Sequence, residues 1–304
     1  MKRIEYFNNV LNNSQSNNGK SNISSQVDYL LKSVFSTLEG NDKALILGAG
    51  NCSDFSLGTF TEHFEKVYVT DVDKSSVQRQ IDQANIPNKQ YYKMQLEQVE
   101  YTGFEEIQFF TNFKQWLGSV KELSSIDRYI GKVMDETKDY QFLEAESNQF
   151  DFIYVSPIYT QLIFQQYANN LASLKAHGVP EHILKYAEGA MLSISTTIIA
   201  RFNDNIKRLI KPNGHVVVLS DILELQVGSI YYQRIKNAIG SKEVIDSIYK
   251  DYFNEYGYGF GDYGLYNLDQ KITPNRERWM IWEFSDTKHF LIKLKIYHSK
   301  KEEK

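Results

Sequence analysis

One run constrains the chain more than any other: Ala44-Leu-Ile-Leu-Gly-Ala-Gly-Asn-Cys-Ser-Asp54. Four apolar residues, Ala44 to Leu47, suit a central parallel strand covered on both faces. Gly48 and Gly50 then predict a tight turn with no side chains in the way, leading into a helix. A ligand can approach such backbone closely, and the N–H groups opening the helix point toward it. Lys66-Val-Tyr-Val-Thr-Asp-Val-Asp73 reads as a second apolar strand ending in acid. Asp71 lies 23 positions after Gly48. A carboxylate at that distance, ending the second strand, is placed to accept two hydrogen bonds from a ribose diol.

These residues resemble the class I methyltransferases that use S-adenosylmethionine. The resemblance implies that Gly48, Ala49 and Gly50 pass under the methionine part of the cofactor. It also implies that Asp71, with Val72 beside it, holds the ribose. The chain departs from that family at Ile46, where an acid is usual, and at Cys52, where a third glycine is common. A nicotinamide-binding reading stays open, because Gly48-x-Gly50-x-x-Ser53 matches part of the dinucleotide pattern.

The bulk of the chain narrows the class. Its 304 residues suffice for one large α/β domain or two small ones. Hydrophobic residues at 42% and charged residues at 24% are those of an ordinary globular protein. No apolar run approaches the roughly 20 residues of a membrane span, the N-terminus lacks the apolar core of a secretory signal, and the single cysteine, Cys52, excludes an internal disulfide framework. The expectation is a cytoplasmic protein without a membrane partner. Net charge is −4, and the one basic cluster is the mixed tail Lys300-Lys-Glu-Glu-Lys304. Nucleic acid is therefore disfavoured as a partner. The 21 tyrosines suit loops that line a pocket for an organic substrate, or that fill a wet interface.

Taken in order, residues 8 to 22 are rich in Asn and Ser and read as a flexible lead-in. Ile23, Val27, Leu30, Leu31, Val34, Phe35 and Leu38 fall on one helical face, with a capping pattern at Ser25 and Asp28 and a stop at Gly40. A polar helix over 74–84 follows the second strand. The third strand is placed near Met94 to Val99. Glu100 at its exit is, by the resemblance, the residue that contacts the adenine amino group, with Glu97 and Gln95 as substitutes. Two amphipathic helices are predicted between 104 and 149.

Phe152 to Val155 predicts a fourth strand, ended by Ser156-Pro157. In open α/β sheets the ligand lies beyond the strand ends where strand order reverses, so Ser156 and Tyr159 are expected to face the reacting group. Ser156-Pro-Ile-Tyr159 is similar to the Ser/Asn/Asp-Pro-Pro-Tyr signature of amino-group methyltransferases, with Ile158 in place of the second proline. By that resemblance Ser156 also borders the cofactor, and Tyr159 stacks on the acceptor. Residues 160 to 210 read as helical, broken at His177-Gly-Val-Pro-Glu-His182. His215 to Asp221 predicts a fifth strand, and 222 to 250 helix. Alternate glycines in Tyr256-Gly-Tyr-Gly-Phe-Gly-Asp-Tyr-Gly-Leu-Tyr266 predict a mobile aromatic loop, with Asp262 as a candidate base. Arg278–Ser285 and His289–Tyr297 predict a closing hairpin.

The expected fold is α/β: a Rossmann-like, doubly wound, seven-stranded mixed sheet with a C-terminal antiparallel hairpin. A segment 1–22 precedes one domain, 23–304, with helical inserts at about 104–149 and 160–200. The expected function is transfer of methyl from S-adenosylmethionine to a small-molecule N or O acceptor. Ser156 and Tyr159 are the candidate catalytic residues. Gly48, Ala49, Gly50, Asp71, Val72, Glu100 and Ser156 are assigned to the cofactor, and no metal is implied. The alternatives are methylation of a nucleic-acid base, and a non-catalytic binder of the same cofactor.

Overall fold

The computed structural model describes residues 22–84 and 86–300. The expected lead-in before Asn22 and the last residues of the basic tail lie outside them. The chain opens with helix α1 (Asn22–Phe35) and strand β1 (Lys43–Leu47). Then come α2 (Leu57–His63), β2 (Lys66–Asp71), α3 (Lys74–Gln83), the single turn α4 (Asn88–Tyr91) and β3 (Met94–Gln98). Helices α5 (Phe109–Leu117) and α6 (Ser124–Glu136) precede β4 (Phe150–Val155). Helices α7 (Phe164–Ala176) and α8 (Glu181–Leu209) precede β5 (Ile210–Gln226). The chain ends in α9 (Ile230–Ala238), α10 (Lys242–Tyr256), α11 (Phe260–Asp269), β6 (Thr273–Glu283) and β7 (Lys288–His298).

The strands form one seven-stranded sheet in the order β3-β2-β1-β4-β5-β7-β6. The first five are parallel, and β7 pairs antiparallel with both β5 and β6. The chain therefore winds outward from β1 through β2 to β3, then restarts at β4 on the other side of β1. The carboxyl ends of β1 and β4 bound the crevice this reversal creates.

Alternation within β1 explains why both faces are covered. Leu45 and Leu47 enter a core built with α5 to α8 and α11. Ala44 and Ile46 enter a second core with α1, α2 and α3. All four side chains are fully buried, as a strand in the middle of a parallel sheet requires.

Three expectations are corrected. Helix α1 already begins at Asn22, so Ser25 and Asp28 do not cap it; Asp28 instead accepts a hydrogen bond from the Ser56 N–H at 3.0 Å. The fifth strand runs on to Gln226, where helix was expected, because β7 pairs with it as far as Lys288. The Tyr- and Gly-rich stretch is helical from Phe260 onward. Its glycines serve close packing: a Cβ at Gly261 would sit 2.1 Å from the Asp221 carbonyl oxygen, and one at Gly264 would sit 2.4 Å from the Tyr159 ring. Tertiary contact thus overrides the poor helix propensity of glycine.

Gly264→Ala forces the Tyr159 ring away from α11 and is expected to lower stability by about 1–3 kcal/mol. Tyr159→Phe, which removes only a buried hydroxyl, is expected to cost about 1 kcal/mol. Urea-unfolding midpoints for both variants check the order.

Candidate active site

A cavity of about 340 Å³ opens at the reversal point of the sheet. Its floor is the glycine turn. Gly48 and Gly50 have φ of +70° and +53°, and Cys52 follows at +52°. Glycine tolerates this left-handed backbone without strain. A Cβ at Gly48 would also meet Ile158 at 2.9 Å, so the turn is held against the segment leaving β4.

Two side chains fix the turn. The Gly50 N–H donates to Asp71 Oδ2 at 2.8 Å, and the Asp73 N–H donates to Asp71 Oδ1 at 2.8 Å. Asp71 thereby clasps the turn to the start of α3, which Asp73 caps by accepting the Ser76 N–H at 3.0 Å. The Gly48 N–H donates to the Tyr101 hydroxyl at 2.9 Å. Thr70 Oγ1 donates to the Ile46 carbonyl at 2.7 Å, so its 3.0 Å contact with Tyr101 must use the tyrosine proton. The turn, β2 and the exit of β3 are locked by one ordered chain of hydroxyls.

Asp54 lies just beyond the turn and is 2% exposed. Its Oδ2 accepts the Tyr154 hydroxyl at 2.7 Å and the Ser156 hydroxyl at 3.0 Å. Burial pushes its carboxyl up to about 6, against the pull of those two bonds. Burial likewise raises Asp71, although its backbone bonds favour the charged form.

The predicted residues divide. Gly48, Ala49, Gly50, Asp71, Val72, Glu100 and Ser156 all line the cavity. Glu100 does so while closing the turn after β3: it accepts the Thr102 N–H at 2.8 Å, the Thr102 hydroxyl and the Gly103 N–H at 2.5 Å. Burial raises its carboxyl. Glu97 and Gln95 bond to each other at 2.5 Å and are not among the cavity residues.

Tyr159 is the correction among the candidate catalytic residues. It does not reach the cavity wall. Its ring is packed on Gly264 and its hydroxyl donates to Asn203 Oδ1 at 2.9 Å, so it is a 2%-exposed core residue. Asp262 also lies outside the wall, accepting the Tyr249 hydroxyl at 2.6 Å at the start of α11. His177 ends α7 with its ring against the Ser173 carbonyl. Among the described residues, no group of three or more His, Cys, Asp or Glu side chains is placed to hold a metal. None of the described helices is long and apolar enough to cross a membrane.

Sequence reasoning missed Asp54, Tyr101 and Asp221 as cavity residues. Asp54 carries a signal, as an acid at the close of the glycine run. Asp221 carries the same kind of signal as Asp71, an acid on a parallel strand of the sheet. Tyr101 carries none that separates it from the other tyrosines.

No protein-family model matches this chain, and no curated protein matches it. Among solved structures it is similar to the N-methyltransferase NodS from Bradyrhizobium japonicum in complex with S-adenosyl-L-homocysteine. Identity is 10%, coverage is 93% of this chain and 90% of that one, and the TM-score is 0.44. It is also similar to a SAM-dependent methyltransferase from Methanosarcina mazei, at 11% identity, 89% and 98% coverage and a TM-score of 0.42. A third is a putative sarcosine dimethylglycine methyltransferase from Galdieria sulphuraria, at 8% identity, 90% and 86% coverage and a TM-score of 0.37.

The raised carboxyl of Asp54 sets a pH dependence. Unfolded, it titrates near its ordinary 3.8; folded, near about 6. Between those values the native state binds the extra proton, so this component of stability is full below about pH 4 and is lost as pH rises through 6. Asp54→Asn removes that loss. Relative to wild type, the variant is expected to gain roughly 3 kcal/mol of stability between pH 4 and pH 7, measured by urea titration of the ligand-free proteins.

Proposed function

We propose that this chain is a methyltransferase that uses S-adenosylmethionine and acts on a small-molecule N or O nucleophile. The observation that carries the reading is Asp71: a carboxylate ending the second parallel strand, bonded to the glycine turn, and open to the cavity at the reversal of the sheet.

The residues fit the cofactor. Each carboxylate oxygen has two lone pairs; Gly50 and Asp73 take one on each oxygen of Asp71, and the Val72 backbone also bonds to the carboxylate. The acceptor capacity that remains suits a donor from a ribose hydroxyl. Asp54 sits where a carboxylate can meet an α-ammonium group, at the end of a motif whose usual acid is replaced by Ile46. Val72 offers an apolar wall next to Asp71. When bound, the cofactor supplies a methyl group already activated on a sulfonium. The protein's contribution is then to hold the acceptor in line and to exclude water. Ser156 lines the cavity with its hydroxyl proton directed to Asp54, and in this reading it borders the acceptor.

A small acceptor is favoured over a nucleic-acid base by the net charge of −4 and by a cavity walled with Asp54, Asp71, Glu100 and Asp221.

Isothermal titration with S-adenosylhomocysteine, S-adenosylmethionine and NADH separates the readings. Wild type is expected to bind the first two and not NADH. Asp71→Asn is expected to weaken them about 10–100-fold, the loss of one or two charge-assisted hydrogen bonds. Binding of NADH alone would replace this reading with a nicotinamide enzyme.

A further inference from the structure

The wall of the cavity away from the glycine turn is built from Thr160, Asp221, Trp282, Phe284, Lys288 and Phe290. Asp221 accepts the Thr160 hydroxyl on Oδ2 at 2.9 Å. Its other oxygen, Oδ1, is buried and has no hydrogen-bond partner among the described residues. A buried carboxylate oxygen left without a donor is costly, and natural structures seldom keep one without a use.

The backbone around Asp221 is held from both sides. The ladder between β5 and β7 shifts register between Asp221 and Leu223, and such bulges re-aim side chains. Gly261 of α11 lets the helix approach so closely that any Cβ there would strike the Asp221 carbonyl. The backbone that carries the carboxylate is thus held in place.

The charges that face it come from two elements. Lys288 on β7 lowers its proton affinity, Asp262 on α11 raises it, and burial outweighs both, pushing the carboxyl up to about 6. Lys288 is already paired with Glu224 at 2.9 Å and lies over the Phe290 ring at 5.1 Å. It is therefore not the missing partner of Oδ1. The remaining neighbours on this wall, Trp282, Phe284 and Phe290, present aromatic rings, which attract cations and cover apolar carbon.

We propose that this wall is the acceptor subsite and that it takes a small amine, its N–H groups donated to Asp221 Oδ1 and its apolar body laid against Trp282, Phe284 and Phe290. This rests on the methyltransferase reading of the same cavity and narrows its acceptor from any N or O nucleophile to an amine. An alcohol satisfies Oδ1 with one neutral donor; a protonated amine brings several donors and the opposite charge. A carboxylate ligand is excluded by repulsion.

The test is equilibrium binding, read without turnover. 2-Phenylethylamine, 2-phenylethanol and 3-phenylpropionate are titrated into the full-length protein, alone and saturated with S-adenosylhomocysteine. The amine is expected to bind at least tenfold more tightly than the alcohol or the acid. Asp221→Asn is expected to reduce that preference to less than threefold while leaving S-adenosylhomocysteine binding within twofold of wild type. Equal binding of amine and alcohol by wild type, no amine binding at all, or an undiminished preference in Asp221→Asn overturns the subsite. If that variant does not fold, the three-ligand series on wild type decides alone. Cofactor-product binding with no amine preference removes the subsite only. An amine preference with no cofactor-product binding keeps the subsite and removes the methyltransferase reading.

Discussion

The structure of the site depends on one carboxylate receiving two backbone N–H groups. Asp71 takes a hydrogen bond from the turn after β1 and another from the start of α3. Without it, the Gly50 N–H of a left-handed turn and the Asp73 N–H at the start of α3 would lose their acceptor. Both N–H groups are shielded from solvent, where an unpaired donor costs about as much as a lost hydrogen bond. The same residue lines the cavity, so the group that fixes the turn also borders the place where the proposed ligand would lie.

Other parts of the sheet reinforce that arrangement. Tyr101, coming from the far side of β3, accepts the Gly48 N–H and donates to Thr70, whose proton goes to Ile46. Asp54 ties the end of the glycine motif to Tyr154 on β4 and to Ser156 just after it. The crevice is thereby braced from β2, β3 and β4 around β1, and Ser156 extends the β1–β4 ladder by donating its N–H to the Leu47 carbonyl at 3.1 Å. Under the proposed reading this rigidity has a purpose: an activated methyl group needs an aligned acceptor more than it needs chemical assistance. The hairpin of β6 and β7 contributes Trp282 and Phe290 to the opposite wall, where Asp221 stands with an unmet oxygen.

Much of this was legible in the sequence because it rests on local patterns. Four apolar residues before Gly48 gave β1, and an acid after Val-Tyr-Val-Thr gave the end of β2. Alternating apolar residues from His289 to Tyr297 marked β7. What failed was long-range. Tyr159 stands next to the strand end like a site residue, yet its place is set by Gly264 and Asn203, 105 and 44 positions away. The glycines of the aromatic stretch argue for a loop on propensity alone, and only the closeness of β5 and Tyr159 explains why Gly261 and Gly264 lie in a helix. Asp54 and Asp221 had only their positions to mark them, because burial and a missing partner are properties of the folded chain. Ser25 and Asp28 matched a cap by spacing, but Asp28 is drawn to Ser56 instead.

The most direct measurement is a crystal structure of the protein grown with S-adenosylhomocysteine. The account predicts density for the ligand at the reversal of the sheet, its ribose hydroxyls on Asp71 and its amino acid end over Gly48 to Gly50 beside Asp54. Ligand density elsewhere, or a ribose that leaves Asp71 untouched, would contradict it.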